Sequence, residues 1–130
     1  MSENNSLFII EDNKVSQLML KNYVSNNFNY KIIDFFTVED CLGLSGEYPR
    51  IILLDYELPG MNGLEAIPKL KEKWPQSQII IISGLNDKEI KKTLFKSFDT
   101  IDFIEKIGNL EKNLIDSIVQ AEKILKIINI

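Results

Sequence analysis

The sequence predicts an α/β domain built on a five-stranded parallel sheet, and three observations carry that prediction. Short apolar, β-branched runs alternate with longer stretches of helical spacing, the pattern of successive βα units. The runs at 51–54 (IILL) and 79–82 (IIII) are apolar at every position, as parallel strands covered on both faces must be. Charged or hydroxylated residues stand directly after these runs rather than inside them.

Strand 1 covers 7–10 and is stopped by Glu11 and Asp12. Helix 1 covers 14–27, where Val15, Met19, Leu20, Tyr23 and Val24 recur at helical spacing and should form one buried stripe. Asn26, Asn27 and Asn29 mark its exit, and strand 2 follows at 31–35. Thr37 with Asp40 gives a capping-box pattern opening helix 2, which Gly43, Gly46 and Pro49 keep short. Strand 3 is 51–54. Helix 3 starts near Asn62, with Glu65 as reciprocal cap, and buries Leu64, Ile67, Leu70 and Trp74. Pro68 costs it a hydrogen bond, so a kink or a late start is expected, and Pro75 ends it. Strand 4 is 78–82. Asn86 and Glu89 cap helix 4, which places Ile90 and Leu94 in the core. Strand 5 is 102–104, and helix 5 runs from about 110 with Leu114, Ile118, Ala121, Leu125 and Ile128 on one face. The reading is a single domain over 1–130 with its core at 7–121. Residues 122–130 extend helix 5, either against a partner or as the stub of a linker.

Composition narrows the chemistry. With 45% hydrophobic and 26% charged residues, the 130-residue chain has the balance of a soluble domain. A net charge of −4 without a Lys/Arg cluster argues against direct nucleic-acid binding. There is no histidine, and Cys41 is the only cysteine. An internal disulfide is impossible, and zinc, iron–sulfur and blue-copper sites are effectively excluded, as are Ser–His and Cys–His nucleophile pairs. The segment MSENNS lacks the features of a signal peptide, and no apolar run approaches the ~20 residues of a membrane span. A cytoplasmic location without membrane contact is expected. Chemistry must rest on carboxylates, hydroxyls, lysines and a hard cation.

In an open parallel sheet, ligands bind at the carboxyl ends of the strands. Glu11 and Asp12 follow strand 1, Asp55 strand 3, Ser83 strand 4 and Lys106 strand 5. Gly60, Gly63, Gly84 and Gly108 lie in the same loops, where backbone can approach a ligand closely. Two carboxylates ~4 Å apart repel by roughly 4 kcal/mol at an effective dielectric of ~20, so the cluster calls for a cation. Lys106 offsets part of the charge. An all-oxygen site with open positions suits Mg²⁺, which binds through one or two carboxylates plus waters and a phosphate. Asp55 is then the nucleophile toward a phosphoryl group, with Ser83 and Lys106 contacting its oxygens.

The segments LFIIEDN, IILLDYELPGMNGLE, IIIISG and DFIEK resemble, in order and spacing, the signature segments of response-regulator receiver domains of bacterial two-component systems. The resemblance runs from Leu7 to about Ala121. It implies a doubly wound, flavodoxin-like fold with strand order 2-1-3-4-5 and five helices. It implies Asp55 as phosphoacceptor, Glu11 and Asp12 as the acidic pair holding Mg²⁺, and the backbone carbonyl of Glu57 as a further metal ligand. Ser83 would move toward the phosphoryl group, Lys106 would be its countercharge, and Phe103 would change rotamer with Ser83. The implied partners are a sensor histidine kinase or phosphotransfer protein, and a downstream protein or tethered output domain. The helix 4–strand 5–helix 5 face would relay the change and offers a homodimer surface.

The chain also departs from that pattern. Lys106 is followed by Ile107 and Gly108 instead of proline. A cis bond without proline costs ~3 kcal/mol, so a trans bond and a differently shaped loop are expected. Asp99 and Thr100 replace a small Gly–Ala pair, and Asn62 stands where aspartate is common. Glu57 and Leu85 occupy variable positions flanking the site. The Glu57 side chain would repel or orient water, changing the phosphoryl lifetime in a direction the sequence leaves open. Two other readings remain. One is a phosphorylation-independent interaction module. The other is a phosphatase with an aspartyl nucleophile, disfavoured because Glu57 replaces the second aspartate of an Asp-x-Asp pair.

Overall fold

The computed structural model describes residues 5–84, 92–93 and 101–128. Its elements are β1 (Ser6–Ile10), α1 (Lys14–Asn27), β2 (Lys31–Phe35), α2 (Val38–Leu42), β3 (Ile51–Asp55), α3 (Gly63–Lys73), β4 (Gln78–Ser83), β5 (Ile101–Glu105) and a C-terminal helix, Leu110–Ile128. The five strands form one parallel sheet in the order β2-β1-β3-β4-β5. Lys92 and Thr93 are helical. The predicted caps Asn86 and Glu89 and the core positions Ile90 and Leu94 lie outside the described residues, as do Leu85, Asp99 and Thr100.

Alternation along the strands builds two apolar layers. Phe8, Ile10, Ile52, Leu54, Ile79, Ile81 and Phe103 face α2 and α3, where Val38, Cys41, Ile67, Leu70 and Trp74 meet them. Leu7, Ile9, Ile51, Leu53, Ile80, Ile82 and Ile104 face α1 and the C-terminal helix, against Leu20, Val24, Leu114, Ile118 and Leu125. Phe8 fixes the first layer. Its ring meets Phe35 and Trp74 edge-on, with centroids 5.2 and 5.3 Å away, the geometry aromatic quadrupoles favour.

Side-chain caps set the helix starts. Asn13, Thr37 and Asn62 accept hydrogen bonds from the backbone N–H groups of Ser16, Asp40 and Glu65, each satisfying one donor that a first turn leaves unpaired. Of the kink or late start expected of Pro68, the late start does not occur: the helix begins at Gly63 and runs through Pro68, whose ring sits on the exposed face. Leu64 is half-buried, and Ala66 takes a core place beside Ile67 and Leu70.

The predicted stripe on α1 is rotated. Val15 is 76% exposed, while Gln17, Leu20 and Val24 are buried. Gln17 is inside because its amide donates to the carbonyls of Glu11 and Phe35, at 3.3 and 3.1 Å, tying α1 to the ends of β1 and β2. The buried Glu11 carbonyl needs a donor, while the Phe35 carbonyl, which already accepts from the Glu11 N–H at 3.0 Å, gains a second bond.

At the opposite end of the sheet, Arg50 grips Glu122 through Nε at 3.0 Å and Nη2 at 2.6 Å, and the Tyr30 hydroxyl donates to the same carboxylate. Burial alone would raise the Glu122 pKa, but hydrogen bonds from Arg50 and Tyr30 outweigh it and hold the carboxyl below its usual value. A depressed carboxylate contributes stability above its unfolded pKa and loses it as pH falls through the folded value. Glu122→Gln should therefore cost about 1–2 kcal/mol near neutral pH. Denaturant titrations in increasingly acid buffer should show that deficit shrinking and vanishing below the depressed value.

Candidate functional site

Strand register brings the chemistry to one edge. Ile10 pairs with Leu54 and Asp55 with Ile82, so the chain leaving β1 at Glu11 passes beside Asp55, and Asp55 in turn lies next to the end of β4 at Ser83. Ser83 pairs with Glu105, and the next residue, Lys106, donates its backbone N–H to the Ser83 carbonyl at 2.7 Å. That bond seats the lysine over the strand ends.

The side chains converge as the sequence predicts. One carboxylate oxygen from each of Glu11, Asp12 and Asp55 lies within 4.8 Å of the other two. Glu11 and Asp55 are buried, at 1% and 4% exposure, while Asp12 is open to solvent. The Lys106 ammonium stands 2.9 Å from Glu11 Oε1 and 3.3 Å from Asp55 Oδ2. Asp55 Oδ1 accepts from the Glu57 N–H at 3.0 Å. Gly63 lets this loop close on α3, since a Cβ there would lie 2.6 Å from the Tyr56 ring.

One ammonium does not balance three carboxylates. Burial, then the neighbouring Asp55, push the Glu11 carboxyl up to about 7 in spite of Lys106. Burial would lower the Lys106 pKa, but Glu11 and Asp55 outweigh it and keep the amine above its ordinary value. An all-oxygen cluster, short of positive charge and open on the Asp12 side, fits a hard divalent cation.

The bond after Lys106 is trans, as expected. Gly108, at φ 84°, turns the chain, leaving Ile107 64% exposed. The reach of Lys106 survives with Ile107 in place of proline. Phe103 is buried in the first apolar layer, opposite Ile81. The Ser83 hydroxyl, 1% exposed, donates to Glu57 Oε1 at 2.6 Å, and the Gly84 N–H donates to the same oxygen at 2.6 Å. In the sequence Glu57 stands out only as a flanking position, because this contact spans two strand ends and has no local signal.

The family model for the response regulator receiver domain matches residues 7–119. The chain belongs to the response-regulator receiver family. This receiver is 33% identical over 86 residues to a protein-glutamate methylesterase/protein-glutamine glutaminase of Paramagnetospirillum magneticum, covering 65% of this chain and 24% of that one. It is 30% identical over 106 residues to a cyclic di-GMP phosphodiesterase of Thermotoga maritima, covering 82% of this chain and 28% of the other. The receiver thus spans about a quarter of the length of these relatives. In fold it matches a CheY-like receiver domain protein from Methanospirillum hungatei, with a TM-score of 0.80 at 20% identity over 95% of this chain and 98% of that one. Among the described residues, no helix is long and apolar enough to cross a membrane.

Proposed function

We propose that this receiver is a phosphoryl-accepting switch in which Asp55 takes a phosphoryl group from a phosphohistidine of a sensor kinase or phosphotransfer protein. The observation that carries the reading is the meeting of the Glu11, Asp12 and Asp55 carboxylates within 4.8 Å beside the Lys106 ammonium. An Asp55 oxygen attacks phosphorus, the P–N bond breaks, and the departing imidazole nitrogen keeps the electron pair. Glu11, Asp12, Asp55 and the Glu57 backbone carbonyl would hold Mg²⁺. When bound, that ion supplies positive charge to the carboxylates and to the phosphoryl oxygens. Lys106 neutralises the modified site from the β5 side, and Ser83 offers a hydroxyl to a phosphoryl oxygen. Movement of Ser83 would pass to Phe103, whose strand pairs with β4, and so to the surface of β5 and the C-terminal helix. A downstream protein, a tethered output domain or a second copy would read that surface.

Incubation with acetyl phosphate and Mg²⁺, followed by intact mass, tests the proposal. The expected result is one phosphoryl group per chain, lost on standing and absent when EDTA replaces Mg²⁺. Absence of any adduct with Mg²⁺ present would favour the phosphorylation-independent module. Repeated turnover of phosphate esters would favour the aspartyl phosphatase.

A further inference from the structure

We propose that the Glu57 side chain is a built-in competitor for the donors that a phosphoryl group on Asp55 would need, so that it latches the unmodified state. The inference rests on the phosphoryl-acceptor reading above. Glu57 Oε1 accepts from both the Ser83 hydroxyl and the Gly84 N–H, each at 2.6 Å. Two donors aimed at one anionic oxygen form a small oxyanion cradle, and short charge-assisted bonds of this kind are the strong ones. The contact bridges the ends of β3 and β4 beside Asp55, with Glu57 itself exposed. Glu57 lies two residues beyond Asp55, its N–H is tied to Asp55 Oδ1 at 3.0 Å, and its carboxylate rests against Gly84, where a Cβ would come 3.4 Å from Oε2.

A phosphoryl group on Asp55 carries anionic oxygens that call for these same donors. The Ser83 hydroxyl has one proton and cannot donate it to two acceptors. The Glu57 carboxylate and a phosphoryl oxygen also repel each other, so both cannot sit in the cradle. Modification therefore requires Glu57 to leave, and only the fraction of molecules with the cradle open is competent to bind. Glu57 is a positioning residue: it acts through Ser83 and Gly84, and its substitution leaves the proposed metal-binding backbone carbonyl in place.

The test uses the whole chain with Glu57→Ala, Glu57→Gln and Glu57→Asp, in two measurements. The first is metal-free, following the Gly84 amide by NMR shift and hydrogen exchange. In Glu57→Ala that amide should move and exchange faster. Glu57→Gln, which keeps an acceptor of the same reach, should resemble the wild type more closely than Glu57→Asp, which is too short. The second measures beryllofluoride affinity at saturating Mg²⁺, where Glu57→Ala should bind about tenfold more tightly than the wild type, with Glu57→Gln between them. An unchanged Gly84 amide in Glu57→Ala overturns the latch. So does unchanged or weaker beryllofluoride binding by a variant whose wild type binds it. If neither protein binds beryllofluoride, the phosphoryl-acceptor reading falls, and the competitor role falls with it.

Discussion

Asp55→Asn should abolish phosphoryl uptake and, in the same protein, raise the stability of the metal-free fold. The carboxamide keeps the shape of the side chain but has no anionic oxygen to attack phosphorus, so intact mass should show no adduct under conditions that label the wild type. The stability gain follows from crowding. Asp55 is 4% exposed and shares its neighbourhood with the buried Glu11 carboxylate and with Asp12, against the single ammonium of Lys106. Above pH 7, where the Glu11 carboxyl is ionised, each like pair at this range repels by a few kcal/mol at an effective dielectric of ~20. Removing one anion relieves two repulsions and sacrifices one attraction, and Lys106 retains Glu11 at 2.9 Å. A net gain of about 1 kcal/mol is expected, which raises Tm by roughly 3 °C for a domain of this size. Melts in EDTA read that gain directly. An adduct on Asp55→Asn would place the acceptor elsewhere, and a fall in Tm would mean that the Lys106 contact outweighs the crowding.

The parts of this design that were legible in the sequence are those set by short-range pattern. A strand covered on both faces shows itself as an uninterrupted apolar run, so Ile51 to Leu54 and Ile79 to Ile82 were readable as central strands. Asp55 and Ser83 then stood out because each ends such a run. The structure extends both strands by that one residue, which places the chemistry on the sheet's rim rather than in a loop. The caps Asn13, Thr37 and Asn62 are fixed within three residues of chain, although the sequence pattern marks only Thr37 and Asn62 as helix starts. The orientation of α1 was not legible. Apolar spacing alone admits Val15 to the buried face, and only the carbonyls of Glu11 and Phe35, brought together by the β1–β2 pairing, draw Gln17 inward instead. Pro68 lies inside α3 without delaying its start, its ring on the exposed face, and its missing N–H leaves the Leu64 carbonyl without its helical donor. The Glu57 contact was beyond reach for a related reason. It joins residues 26 apart in the chain, and only the side-by-side ends of β3 and β4 make it possible.

Lys106→Met carries the other large expected effect, and it separates two roles of the ammonium. Met keeps most of the side chain's length and removes the charge. Glu11 and Asp55, both buried, would then face each other with no countercharge inside the protein. Breaking a fully buried ion pair costs about 3–5 kcal/mol. Lys106 is 23% exposed, so solvent screens part of this, and a loss of about 2–3 kcal/mol in the metal-free protein is the discounted expectation. Divalent affinity should move the other way. The ammonium sits against the carboxylates that would hold Mg²⁺, and its removal deepens the negative potential they present. Mg²⁺ should therefore bind on the order of tenfold more tightly to Lys106→Met. Binding to the folded state alone stabilises it by mass action, so millimolar Mg²⁺ should restore more stability to the variant than it adds to the wild type. Paired denaturant titrations in EDTA and in Mg²⁺ read both effects. Equal stability of the two proteins in EDTA would show that Lys106 does not compensate the cluster. Equal recovery on adding Mg²⁺ would show that the ion binds somewhere other than among Glu11, Asp12 and Asp55.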